Sequence, residues 1–169
     1  KEGFESIRGL YINGFYDIAE MKQAEKLFGM PEQKQTMLNI ADIQGIKLYI
    51  DGKMFNMYEG SVESSKIWVD MSLGITGRSV VWSSPDGKKV EITIKRMTSF
   101  KQLSLFTIDY TVKALNFSGN IIFETSHTGR AENYVNPNDP RVAGESFTHL
   151  LTHKPEIIGG ASYITADTV

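Results

Sequence analysis

From residue 45 onward, apolar side chains recur at every second position. Ile46, Leu48 and Ile50 alternate with Lys47 and Tyr49, and Ile67, Val69 and Met71 alternate with Trp68 and Asp70. Val90, Ile92 and Ile94 repeat the pattern, as do Phe106, Ile108, Tyr110 and Val112. A period of two places one face against a core and leaves the other for water, which a helix of this sequence could not do. Turn residues separate the runs: Asp51-Gly52, Pro85-Asp86-Gly87-Lys88, and Asn116 to Asn120. Asp51-Gly52 is the strongest of these, because a type I′ hairpin turn needs positive φ at both central residues. Strands are expected over 46–50, 53–57, 67–71, 78–82, 90–94, 106–112, 121–125, 147–152 and 162–166. Roughly ten strands at spacings of about 8–12 residues predict an antiparallel sandwich or barrel.

Only the first quarter departs from this rhythm. Asp17 followed by Glu20 matches a capping box, and Met21, Ala24, Leu27 and Phe28 share one helical face ahead of Gly29 and Pro31. These residues predict a short helical excursion over 18–28. Residues 129–145, rich in Gly, Asn, Pro and Asp, read as a loop. With 169 residues, no linker and no repeat, the chain is expected to form one domain, 1–169. It opens on Lys1-Glu2-Gly3-Phe4 and closes on a strand-like run from Ala161 to Val169, so it is expected to be part of a longer protein.

Composition narrows the function classes. Eighteen Lys and Arg against twenty Asp and Glu leave a net charge of −2, a poor basis for neutralising nucleic-acid phosphates. The absence of cysteine removes disulfides, thiol nucleophiles and thiolate metal sites. No apolar run approaches the roughly 20 residues of a membrane-spanning helix. Neither a phosphate-binding P-loop nor a dinucleotide-binding glycine fingerprint is present.

The residues left to carry chemistry are few. His149 and His153 would share one side of a strand, but zinc needs three or four ligands and no third is identifiable, so no metal site is assigned. His127 lies at a strand end, where a solvated turn histidine is the simpler reading than a catalytic base. Asp51, Asp86 and Asp139 suit turns, whereas Asp70, Glu91 and Asp109 suit outward strand positions. No facing carboxylate pair of the glycosidase kind can be chosen. Trp68 and Trp82 are candidate platforms for sugar rings, although aromatics also fill sandwich cores. Asn116-Phe117-Ser118 has the pattern of an N-glycosylation acceptor.

Arg8-Gly9-Leu10-Tyr11-Ile12-Asn13-Gly14-Phe15-Tyr16 is followed in order by segments at 37–42, 46–55, 69–78, 96–100, 114–119 and 138–141. That order of short segments resembles the disaccharide phosphorylases of glycoside hydrolase family 65, in which the first is similar to an early segment. Met37-Leu38-Asn39-Ile40-Ala41-Asp42 and the stretch from Ile46 to Phe55 resemble its "NLPD … KLYVDGEPF". Val69-Asp70-Met71 with Gly74-Ile75-Thr76-Gly77-Arg78 resembles "LDM…G…R". Arg96-Met97-Thr98-Ser99-Phe100 and Ala114-Leu115-Asn116-Phe117-Ser118-Gly119 resemble "RLVSF" and "PLNFDG", and Asn138-Asp139-Pro140-Arg141 has a counterpart further on. Lys101-Gln102-Leu103-Ser104 and His127-Thr128-Gly129 depart from the family's pattern.

The resemblance implies an all-β fold: a large antiparallel two-sheet β-sandwich of the galactose-mutarotase-like type, placed before an (α/α)6 barrel. It implies a parent enzyme that cleaves α-glucosyl disaccharides with inorganic phosphate, or in some relatives with water. The general acid and phosphate pocket would belong to the barrel, so no catalytic or cofactor-binding residue is assigned to this chain. Trp68, Trp82 and His127 remain the candidate substrate contacts. The implied partners are the catalytic barrel, a second copy in a homodimer and carbohydrate, with no nucleic acid and no membrane, in the cytoplasm. Two other readings stay open: a free-standing carbohydrate-binding sandwich, and a mutarotase-like epimerase in which a histidine and a carboxylate would converge.

Overall fold

The computed structural model describes residues 9–20, 28–29, 31–129, 150–152 and 155–168. Among the described residues every regular element is a strand. In chain order these are β1 (Tyr16–Glu20), β2 (Gln33–Met37), β3 (Asp42–Ile50), β4 (Lys53–Met54), β5 (Ser61–Asp70), β6 (Ile75–Ser83) and β7 (Lys89–Thr98). There follow β8 (Phe106–Ala114), β9 (Ile121–Thr128), β10 (Leu150–Thr152), β11 (Glu156–Ile158), β12 (Ala161–Tyr163) and β13 (Ala166–Thr168). The chain divides into two compact units, whose described parts fall within residues 47–124 for one and within 9–46 and 125–168 for the other.

Residues 47–124 form a two-layer sandwich. One layer is the antiparallel meander β5-β6-β7-β8, and the other is built from β4-β3-β9. The alternation read from sequence decides which side chains meet between them. Val80 and Trp82 of β6, with Val90, Ile92 and Ile94 of β7, point inward and are 0–3% exposed. Leu48 and Ile50 of β3 and Phe55 just beyond β4 answer from the other layer, and Ile108, Tyr110 and Val112 of β8, with Met57, Phe117 and Ile121, pack partly buried against this cluster. Burying an aliphatic side chain of this kind stabilises the fold by roughly 1.5–3 kcal/mol over leaving it in water. Pairing is in register across the meander, with Val80 opposite Ile92 and Ile92 opposite Val112. One irregularity interrupts it: between Val62 and Ser64 the ladder shifts by a residue, so Glu63 is supernumerary in β5.

The Asp51-Gly52 hairpin forms as expected, with φ of 46° and 79° and Ile50 paired to Lys53. Its return strand is shorter than the expected 53–57. The Phe55 N–H bonds the Leu48 carbonyl, but the chain then turns so that Phe55 enters the core.

In the second unit, β1 and β2 make an antiparallel ribbon, and β11 and β12 make a tight hairpin. Residues 9–15 are pinned to residues 38–44. Asn39, 2% exposed, accepts the Leu10 N–H at 2.9 Å, while the Ile40 and Leu38 N–H groups bond the Leu10 and Phe15 carbonyls.

The expected helix over 18–28 is corrected at its start. Residues 18–20 belong to β1, where Asp17 faces Thr36 and Glu20 faces Gln33. The Asp17 carboxylate does accept a local backbone bond, from the Ile18 N–H at 2.8 Å, but the ladder to β2 satisfies the following backbone groups. Residues 21–27 lie outside the described residues, as do the whole of 130–145 from the expected loop and residues 147–149 of the expected strand 147–152. The expected strand 162–166 is two strands, β12 and β13, separated at residues 164–165.

Candidate functional site

The two tryptophans occupy opposite faces of the four-stranded sheet. Trp82 is on the inner face and 3% exposed; its indole N–H donates to the Glu59 carbonyl at 2.8 Å, and its ring meets Phe55 edge-to-face at 5.0 Å. Its expected role as a sugar platform is therefore corrected: it is a core residue with its one polar atom satisfied. Trp68 is on the outer face and half-buried, directly opposite Gly77 of β6. The indole lies over that glycine so closely that a Cβ there would sit 2.2 Å from the ring. Around it the outer face is polar: Lys66 and Asp70 flank Trp68 on β5, and Lys95 and Asp109 follow Gly77 across the register.

His127 is the next-to-last residue of β9, in the second unit, exposed, with its Nδ1 in a 2.7 Å hydrogen bond with Ser162 Oγ. Serine rather than a carboxylate engages that nitrogen, so His127 does not form the histidine–carboxylate pair an epimerase would need there. His149 and His153 lie outside the described residues, as does Asp139. Among the described residues no group of three or more His, Cys, Asp or Glu could hold a metal ion.

Five carboxylates are committed to structure. At one end of the sandwich, Asp51 accepts the Asn120 N–H at 2.7 Å and Lys88 Nζ at 2.7 Å; Lys88 first, then Asn120, holds its carboxyl below the usual range. Asp86 is lowered to about 2, chiefly by the Ser84 hydroxyl and then by Lys53. On the outer sheet surfaces, Lys89 then Ser83 lowers Glu63, and Lys47 then Tyr49 lowers Glu124. Asp70, lowered by the Ser72 hydroxyl and the Leu73 N–H, closes the turn at the tip of the β5–β6 hairpin. Every described carboxylate with a displaced titration is displaced downward, whereas a general acid for glycoside cleavage needs its proton held to higher pH. The depression lined by Phe55, Arg78, Val80, Ile92 and Ile94 contains no carboxylate and is continuous with the core.

The described residues of the segments that carry the family resemblance are accounted for by architecture. Gly74 has a φ of 66° at the hairpin tip, and Gly77 leaves room for Trp68. Arg78 donates to the Met57 sulfur at 2.8 Å. Asn116 bridges the neighbouring turn, donating to the Gly87 carbonyl and accepting the Lys89 N–H; both ends of its amide are in use where the glycan pattern was read. Gly119 packs so tightly under Asp51 that a Cβ would lie 2.5 Å from both carboxylate oxygens. Asn39 is the buried strut described above. Among the described residues these motifs fold the domain and bring no reacting groups together; Arg8 and Asn138-Asp139-Pro140-Arg141 lie outside the described residues.

All 169 residues match the family described as "Glycosyl hydrolase family 65, N-terminal domain". The chain belongs to that family. This family 65 domain is 36% identical over 169 residues to the α,α-trehalose phosphorylase of Geobacillus stearothermophilus, covering 99% of this chain and 22% of that protein. It is 39% identical over 137 residues to the α,α-trehalose phosphorylase of Thermoanaerobacter brockii, covering 81% of the chain and 18% of the relative. The kojibiose phosphorylase of Halothermothrix orenii is 26% identical over 157 residues, covering 90% and 19%. A solved human-microbiome protein, provisionally named a kojibiose phosphorylase, shares the fold at a TM-score of 0.72 with 16% identity, over 100% of this chain and 21% of its own. The domain thus spans about one fifth of the curated relatives it matches. Among the described residues no helix is long and apolar enough to cross a membrane.

Proposed function

We propose that this domain is the N-terminal structural part of a family 65 disaccharide phosphorylase whose chemistry is carried by the remainder of the polypeptide. The observation that supports the reading is the pairing of a match along the whole chain with coverage of only 22% of a trehalose phosphorylase. In the parent reaction a carboxylic acid of the catalytic portion protonates the oxygen leaving the glucosyl C1. A phosphate oxygen bonds that carbon from the opposite face, giving β-glucose 1-phosphate and a free sugar. Inorganic phosphate is the co-substrate, the enzyme works in the cytoplasm, and the sandwich supports the barrel and the contact between two copies. α,α-Trehalose is the first substrate to test, because the trehalose phosphorylases share 36% and 39% identity against 26% for the kojibiose enzyme.

The test is an assay of the full-length gene product with phosphate and trehalose, kojibiose or maltose, following glucose 1-phosphate. Phosphate-dependent release from one of them is expected, and none from the 169-residue chain alone. Turnover by this chain by itself, or sugar release by the full-length protein with no phosphate requirement, would refute the assignment.

A further inference from the structure

We propose that the end of the four-stranded sheet formed by residues 67–73 and 100–105 is the face on which the remaining, catalytic portion of the same polypeptide docks. The inference rests on the reading above and adds to it the place of contact.

The two ends of this sandwich differ in chemistry. At one end, the turns at 51–52, 84–88 and 115–120 are held by Asp51, Lys88, Asp86 and Asn116, polar groups suited to water. At the other, the β5–β6 and β7–β8 hairpin tips present large apolar side chains. Met71 is 87% exposed, Leu73 64%, Phe100 91% and Leu103 82%, and the inner-face residues Ile67 and Val69 of edge strand β5 add 73% and 59%. Single exposed apolar residues need no explanation, but six gathered on adjacent hairpins form the kind of patch that marks an interaction surface.

The patch is also built to hold its shape. Asp70 Oδ1 accepts the Ser72 and Leu73 N–H groups at 3.0 and 3.1 Å, fixing the first tip. In the second, Ser99 Oγ accepts the Gln102 N–H at 2.9 Å, and the Ser99 N–H bonds the Leu105 carbonyl at 3.0 Å. A Cβ built on Gly74 would meet the Phe100 ring at 4.0 Å, so the two tips stand side by side. Apolar groups held out on hydrogen-bonded turns lose little conformational freedom on docking. The occupant follows from length: the trehalose phosphorylases that match this domain have roughly four-fifths of their chain outside the matched part. A domain tethered to so large a body meets it at a high effective concentration.

The experiment is hydroxyl-radical footprinting of the full-length gene product, read at Met71, Phe100 and the 70%-exposed Tyr58, with thermal unfolding of a Phe100→Asp variant. Met71 and Phe100 should be protected about tenfold relative to the urea-unfolded protein, at every protein concentration, while Tyr58 reacts freely. Phe100→Asp should lower the thermal midpoint by roughly 5 °C. Ready oxidation of Met71 and Phe100 with an unchanged midpoint overturns the proposal. Protection that appears only as the protein self-associates also overturns it, assigning the face to a second copy. Failure of phosphorolysis in the wild-type assay overturns the functional reading instead, so the two failures are told apart.

Discussion

Replacing Trp82 by Phe tests the claim that this residue is a core strut with one obligatory hydrogen bond. The substitution keeps an aromatic ring to meet Phe55, whose centroid lies 5.0 Å away, but removes the donor that reaches the Glu59 carbonyl at 2.8 Å. Losing a neutral hydrogen bond costs about 1 kcal/mol net. The smaller ring leaves a gap of about two methylene equivalents at a site only 3% exposed, adding roughly 2 kcal/mol. The expected loss is thus about 3 kcal/mol, at the lower edge of a full truncation to alanine. Urea unfolding followed by far-UV circular dichroism gives the measurement, because the midpoint should fall while the slope stays constant. Fluorescence provides a second channel: the variant retains only Trp68, and its folded emission should lie to the red of the wild type's. A shift in midpoint worth less than about 1 kcal/mol would refute the reasoning and return Trp82 to the candidates for ligand contact.

Three further outcomes follow from the same geometry. Gly77→Ala should destabilise the sheet, and Trp68→Ala should suppress much of that loss, a coupling of at least about 1 kcal/mol in a double-mutant cycle; strict additivity would show that the indole does not rest on Gly77. Gly119→Ala should cost roughly 1–3 kcal/mol by displacing the Asp51 carboxylate, with faster amide exchange at Asn120; an unchanged Asn120 rate would contradict it. Asp86 is lowered from 3.8 to about 2 on folding, so the unfolded chain takes up its proton first as the solution is acidified. Stability should therefore drop between about pH 4 and pH 2, and Asp86→Asn should flatten that part of the urea-midpoint profile.

The strands with clean alternation were legible because burial on one face imposes period two. Ile92 and Ile94 could be assigned to the core from their neighbours alone, and Asp51-Gly52 specified its own hairpin. The start of the helix expected at 18–28 shows where local signals fail: Asp17 and Glu20 carry a capping pattern, yet a partner strand over 33–37 offers the backbone of residues 16–20 a continuous ladder. Part of the difference between the tryptophans is local, since Trp68 has Lys66 and Asp70 two residues away whereas Trp82 has Val80 on one side. The rest lies across the sheet, where one meets Gly77 and the other enters a packed layer with Phe55. The second glycine of the Gly74–Gly77 pair was a further clue. The polar clasp of Asp51, Lys88, Asn116 and Gly119 joins turns up to 69 residues apart, a distance no periodicity reports.

The extra residue in β5 has a consequence for how this domain can change length. Ser61 and Val62 face Ser83 and Trp82 on one count, and Ser64 onward follows another. Excising Glu63 would leave both sets of partners in place and forfeit only its links to Ser83 and Lys89. Loss of any one residue from 64 to 67 can likewise be taken up by straightening the bulge, which leaves Val62 opposite Trp82 and Trp68 opposite Gly77 while the residues between move one place along the ladder. Only loss of Ile67 would then bring a charged side chain, Lys66, opposite Arg78, so natural variants that lose a single codon in this stretch should cluster within 63–66.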